Sequence, residues 1–273
     1  MHDNPQLAAA VTTSGSRPWQ TIAFVAFTLA CVVAAFLLPA MPQPTDYHDF
    51  VDDRTLWGVP HFKNVVSNLA FVLAGAAGFV VMARSPSAFV NHAERWPYYV
   101  FFTGLVLTGF GSAYYHLAPD NETLFWDRLP MTIAFAGLVA GQIAERMAPR
   151  LGVALLTPML VIGAASVIYW RATERAGVGN VLPYAILQGY TMAAVLLLAF
   201  THPSRYTRGS DIYWVFAAYL AAKVTETYDA EIWEWTAGVV SGHTLKHFFA
   251  ALAGLIVCLT LFRRRPQAAR APE

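Results

Sequence analysis

Two histidines four residues apart, His243 and His247, lie in the run Ser241-Gly242-His243-Thr244-Leu245-Lys246-His247. On a helix that spacing puts both imidazoles on one face, one turn apart. Both can then reach a single tetrahedral zinc ion. A second run, Gly111-Ser112-Ala113-Tyr114-Tyr115-His116, repeats the spacing with a hydroxyl in the leading place. A third His from another helix completes a three-nitrogen set with an open position for water. That is the catalytic pattern of zinc coordination rather than the structural one. Asp127 opens the next apolar segment after a short turn and so returns to the same level.

Each piece has a plainer reading. A lone pair of His at this spacing can be polar glue between helices or a haem ligand set. Ser112 can bond the carbonyl four residues back. Asp127 can cap a helix, with Pro130 in the turn after it, and taken singly the cap is the better reading. Taken together, Ser112, His116, Asp127, His243 and His247 favour a metal site.

The elements that must position these residues are membrane helices. Of 273 residues, 56% are hydrophobic and only 13% charged, and the mean hydropathy is +0.44. Soluble domains carry about 25% charged residues. Net charge is +1, which gives no nucleic-acid signal. Segments long enough to cross a bilayer fall at roughly 19–39, 62–83, 98–117, 125–145, 151–170, 182–201, 212–229 and 240–262. The seventh carries Lys223, Glu226 and Asp229. The first is too long for a signal peptide's apolar core and reads as an anchor. Cys31 and Cys258 read as buried thiols. No repeat or second domain is visible, so the fold class is all-α, a polytopic helical bundle. Residues 1–18 read as a disordered tail and 263–273 as a basic one.

Eight spans put both termini on one side. That side collects Arg17, Arg84, Arg95, Arg146, Arg150, Arg205, Arg208, Arg263, Arg264, Arg265 and Arg270, against Arg54, Lys63, Arg128, Arg171 and Arg175 on the other. Positive residues favour the cytoplasm, so both termini are expected there. Ser112, His116, Asp127, His243 and His247 then share one depth at the opposite, acidic face. Ionisable groups inside spans are functional candidates by default.

In this order the motifs resemble the alkaline ceramidases. The resemblance rests on Asn64-Val65-Val66-Ser67-Asn68 opening a span, Ser112 and His116, Asp127 eleven residues on, and His243 with His247 in the last span. It covers about residues 46–262. Such enzymes belong to a wider group of seven-helix membrane hydrolases, the CREST superfamily, which also holds adiponectin-receptor-like proteins. The resemblance implies a seven-helix domain at 40–262 preceded by one extra transmembrane helix at 19–39. It implies zinc on His116, His243 and His247, with Ser112 and Asp127 beside the metal. Its expected reaction is hydrolysis of a ceramide-like membrane lipid amide. Zinc activates water, Asp127 accepts the water proton and passes it to the leaving amine, and Ser112 hydrogen-bonds the developing oxyanion. The alternative is an adiponectin-receptor-like protein in which zinc is structural and hydrolysis is slight.

The family's acidic calcium site is only partly matched. Here the stretch reads Asp46-Tyr47-His48-Asp49-Phe50-Val51, with Val51 at the family's Asn and His61 near its later Glu. Asp46, Asp49 and Asp52 offer oxygen ligands for calcium; a solvated acidic loop is the equal alternative. Lys223 and Glu226 are spaced to pair, and Glu226 and Asp229 lie near the acidic face, within reach of the site. Asn64 and Asn68 share a helix face, where hydrogen-bonding to a ligand His competes with helix glue. Lys246 sits about 100° round the helix from His247 and reads as pointing away. Trp126, Trp233 and Trp235 mark span ends.

Overall fold

The computed structural model describes residues 18–85 and 88–267. Of the expected tails, residues 1–17 and 268–273, with Arg17 and Arg270, lie outside the described residues; Pro18 already opens a helix, and Arg263 to Arg265 are described. All eight apolar segments fall on helices: α1 (Pro18–Leu37), the broken pair α2 (Phe62–Ser67) and α3 (Leu69–Arg84), α4 (Arg95–Leu117), α5 (Asn121–Arg146), α6 (Pro149–Arg175), α7 (Leu182–Thr201), α8 (Ile212–Thr227) and α10 (Gly242–Arg263). A short helix, α9 (Asp229–Trp235), links the last two. The described residues contain no strand.

Five of these units are long and apolar enough to cross a membrane: α1, α2–α3, α6, α7 and α10. The protein is an integral membrane protein with an all-α helical bundle. α5 falls outside the five because it carries Glu122, Asp127, Arg128, Glu145 and Arg146. Its surroundings explain that composition. From Ala134 to Arg146 every residue of α5 is buried, and α4, α6 and α7 pack around it. A helix enclosed by protein on all sides can hold polar side chains that lipid would reject.

α1 stands at the edge of the bundle. Only Phe24 on it is buried. It leans on α7, where Phe27 stacks on Tyr190 at 5.7 Å and Thr28 Oγ1 lies 3.1 Å from the Tyr190 hydroxyl. Cys31 on this helix is half-buried rather than buried, whereas Cys258 is enclosed as expected.

Helix starts follow local chemistry. Asp120 caps α5 by accepting from the Thr123 amide at 2.6 Å, and the Asp120 amide donates to the Thr123 hydroxyl oxygen at 3.1 Å. The span therefore opens at Asn121, and Asp127 is not its cap. Ser241 caps α10 in the same way, accepting from the Thr244 amide at 3.1 Å. Each cap satisfies an amide that the first turn leaves free.

The turn between α4 and α5 brings two helices into backbone contact. A Cβ on Gly111 would lie 1.9 Å from the Trp126 carbonyl oxygen, and one on Gly104 would lie 2.3 Å from the Ala134 amide. Pro130 has no amide to donate to that Trp126 carbonyl, so the oxygen is free to face Gly111. At the other side a Cβ on Gly242 would lie 2.1 Å from the Thr225 carbonyl. These contacts set the C-terminal end of α4 against the start of α5, and the end of α8 against the start of α10.

The opposite pole is closed by ion pairs. Arg264, 1% exposed, donates to Glu145 at 2.8 Å, and Tyr206 donates to Glu94 at 2.6 Å. Arg146 donates to the carbonyls of His202 and Gly209. Several arginines expected at the membrane surface are thus buried bundle components.

Candidate active site

His116 comes from the last turn of α4, and His243 and His247 from the first two turns of α10. All three are buried. One ring nitrogen from each lies within 4.8 Å of the others. The rings stand edge to face in pairs, with centroids 4.9 Å apart for His116–His243, 5.1 Å for His116–His247 and 5.0 Å for His243–His247. The motif spacings and the helix order have therefore produced a triad.

The outer nitrogens of the triad are arranged for a common ligand. His247 Nδ1 lies 2.7 Å from the Ser67 hydroxyl, which itself donates to the Asn64 carbonyl at 3.1 Å. Since the hydroxyl proton goes to Asn64, His247 Nδ1–H donates to Ser67 and the lone pair sits on Nε2. That Nε2 is buried without a hydrogen-bond partner. His116 Nε2 and His243 Nε2 approach each other at 3.3 Å. Three converging imidazole nitrogens, one of them an orphan, are the donor set a first-row metal such as zinc takes. A group orienting a ligand His through its other nitrogen is the usual support of such a site.

Ser112 and Asp127 meet beside the triad. Both are buried and line one cavity, with the Ser112 side chain beside the Asp127 carboxylate. Lys246 is here too, against expectation. Its ammonium lies 3.2 Å from His243 Nε2 and donates to Glu226 at 2.8 Å. Its helical neighbour is His243, three residues back, not His247. Glu226 also pairs with Lys223, as the spacing suggested. A metal held by the triad would occupy the His243 lone pair, and Lys246 would keep its bond to Glu226. Asp229 accepts from the His243 amide at 2.6 Å and so anchors the start of α10. Asn64 accepts from the Thr244 hydroxyl at 2.8 Å, and Asn68 donates to the Asn64 carbonyl at 2.7 Å. The residue of this run that reaches a ligand histidine is Ser67, not either Asn.

The loop of residues 38–61 roofs the triad. Phe50 packs against His116 at 4.7 Å and His243 at 4.5 Å between centroids. His48 fixes the roof through Tyr115 at 2.8 Å and Asn121 at 3.0 Å. Asp46 and Asp49 are exposed, whereas Asp52 is buried and grips Arg54 through both carboxylate oxygens. Burial pushes the Asp52 carboxyl up, but its hydrogen bonds to Arg54 and the guanidinium charge outweigh that and hold it below the usual carboxylate range. Among the described residues, Asp46, Asp49 and Asp52 do not form a group with convergent ligand atoms; the histidine triad does.

A cavity of ≈360 Å³ runs from this level into the bundle. Its polar end carries Ser112, Asp127, Lys246 and His247. Its inner end is apolar, lined by Phe101, Leu105, Leu138, Met192 and Gly254. The lining therefore changes from polar at Asp127 to hydrocarbon at the inner end.

No curated protein matches the chain. A family model described as Ceramidase matches residues 57–263. That stretch takes in the triad, Ser112, Asp127, Ser67 and the apolar cavity wall. With that span matched, the chain belongs to the ceramidase family.

Proposed function

We propose that the protein is a zinc-dependent membrane hydrolase that cleaves the amide bond of a ceramide-like lipid. The observation that carries this reading is the buried triad with its orphan His247 Nε2, standing beside the buried Ser112 and Asp127 at the polar end of an apolar cavity. His116, His243 and His247 would hold the metal. When bound, zinc supplies Lewis acidity and activates water at neutral pH.

The chain's own residues do the rest. The apolar inner cavity takes a hydrocarbon chain from the bilayer and presents the amide at the level of Asp127. The Asp127 carboxylate accepts the proton from the attacking water and delivers it to the amine nitrogen as the carbon–nitrogen bond breaks. The Ser112 hydroxyl, which lines the cavity beside Asp127, donates to the carbonyl oxygen as it gains negative charge. The roof formed by Phe50 keeps bulk water from the triad. The products are a fatty acid and a long-chain amine. By the distribution of arginines, the site opens on the face opposite the cytoplasm.

Asp127→Asn tests the assignment. Detergent-purified Asp127→Asn is expected to retain zinc and to lose at least about 100-fold in turnover of a fluorescent ceramide, the scale of a general acid–base contribution. Zinc retained together with wild-type turnover sinks the proposed role of Asp127. Zinc in both proteins with no turnover in either favours a structural metal, as in an adiponectin-receptor-like protein.

A further inference from the structure

Arg128 follows Asp127 on α5 and lines the same cavity, but nothing in the hydrolytic scheme uses it. It is 5% exposed. Its guanidinium is held in an aromatic cage, 4.3 Å from the Trp170 ring, 5.1 Å from Tyr184 and 5.4 Å from Tyr47. Such faces orient a guanidinium without consuming its N–H groups. Nη2 donates to Gln43 Oε1 at 2.5 Å. Among the described residues no carboxylate lies within ion-pair distance of it.

Two donors remain over. Arg128 Nη1 and Gln43 Nε2 are both buried and have no hydrogen-bond partner. Gln43 is 7% exposed and also lines the cavity. A contact that merely strapped the 38–61 loop to α5 needs only the Nη2 bond. Two further N–H groups buried without acceptors lose their hydration uncompensated; Arg264 in the opposite clasp also leaves an N–H over, but Arg128 and Gln43 both line the ≈360 Å³ cavity, where a ligand's acceptor can reach them. The arrangement is what a site built to receive oxygen acceptors looks like before its ligand arrives.

We propose that Arg128 and Gln43 form a head-group subsite that hydrogen-bonds an acceptor oxygen on the amine half of the substrate, next to the scissile amide. The oxygen is either a hydroxyl or an anionic ester oxygen; both accept from the same two donors. The subsite makes the enzyme select amides of oxygenated long-chain amines over amides of plain alkylamines. This deepens the hydrolase reading and rests on it for the identity of the ligand.

The test is a binding measurement that needs no turnover. Detergent-purified full-length protein is titrated with three amines of equal chain length: an amino diol, its phosphate monoester and an unsubstituted alkylamine. Wild type is expected to bind the better of the two oxygenated amines at least about 10-fold more tightly than the alkylamine, since a site with polar donors rejects a ligand that leaves them unpaired. Which oxygenated amine is tighter tells hydroxyl from anionic ester. Arg128→Met is expected to reduce that preference to about 3-fold or less. Gln43→Glu keeps an acceptor for Arg128, which guards the fold, and removes the spare donor; it should also erode the preference. Equal binding of all three amines by wild type overturns the subsite. So does an undiminished preference in either variant at an unchanged melting temperature. Ceramide turnover without amine discrimination defeats the subsite and leaves the hydrolase standing. Amine discrimination without turnover does the reverse.

Discussion

His247 shows how much one side chain depends on another. Its Nε2 is available to a metal because Nδ1 is committed to Ser67, and Ser67 is committed to Asn64. Ser67→Ala removes that commitment while leaving all three histidines in place. Metal affinity should fall about 10- to 100-fold, measured by competition with a chelator; unchanged affinity would show that Ser67 does not orient the ring. The triad was legible in the sequence because four-residue spacing fixes a shared helix face. Ser67 stood within a recognised run, but without a role, because its partner lies 180 positions away. Lys246 was misjudged for a local reason. It stands about 100° from His247, its neighbour in sequence, but three residues from His243 and so beside it on the helix.

Helix ends and helix contacts decide where those side chains meet. The apolar segments predicted the helices well, since hydrophobic length needs no knowledge of partners. The start of α5 was less legible. Asp127 sits where a cap would satisfy the apolar pattern, but Asp120 forms a reciprocal cap with Thr123 about two turns earlier. That difference frees Asp127 for Ser112. The close approach of α10 to α8 depends on Gly242, whose added Cβ would meet the Thr225 carbonyl at 2.1 Å. Gly242→Ala is therefore expected to push α10 outward and cost about 1–3 kcal/mol, read as a lower melting temperature with weakened zinc retention. A melting temperature at or above wild type would mean that the two helices adjust freely.

The whole molecule has two poles with different work. One gathers the triad, the Ser112–Asp127 pair and the Arg128 cage under the 38–61 roof. The other is a buried clasp in which Arg264 meets Glu145 and is faced by the rings of Phe89, Tyr98 and Tyr206. Sequence reading assigned Arg264 to the membrane surface, because its partner on α5 is 119 positions distant and becomes a neighbour only after folding. Arg264→Met leaves Glu145 buried without its cation and should destabilise the bundle by about 3–5 kcal/mol. Zinc stoichiometry in the fraction that remains folded should not change, because the clasp lies at the other end of the helices. A loss of zinc from folded Arg264→Met protein would show that the two poles are coupled.

Whether the triad holds a metal decides the proposed chemistry, and elemental analysis of detergent-purified protein addresses that most directly. One zinc per chain is expected in wild type and in Asp127→Asn, and none in His116→Ala, His243→Ala or His247→Ala. Folded wild-type protein without zinc, iron with a Soret band in its place, or zinc that persists through the three alanine substitutions would contradict it.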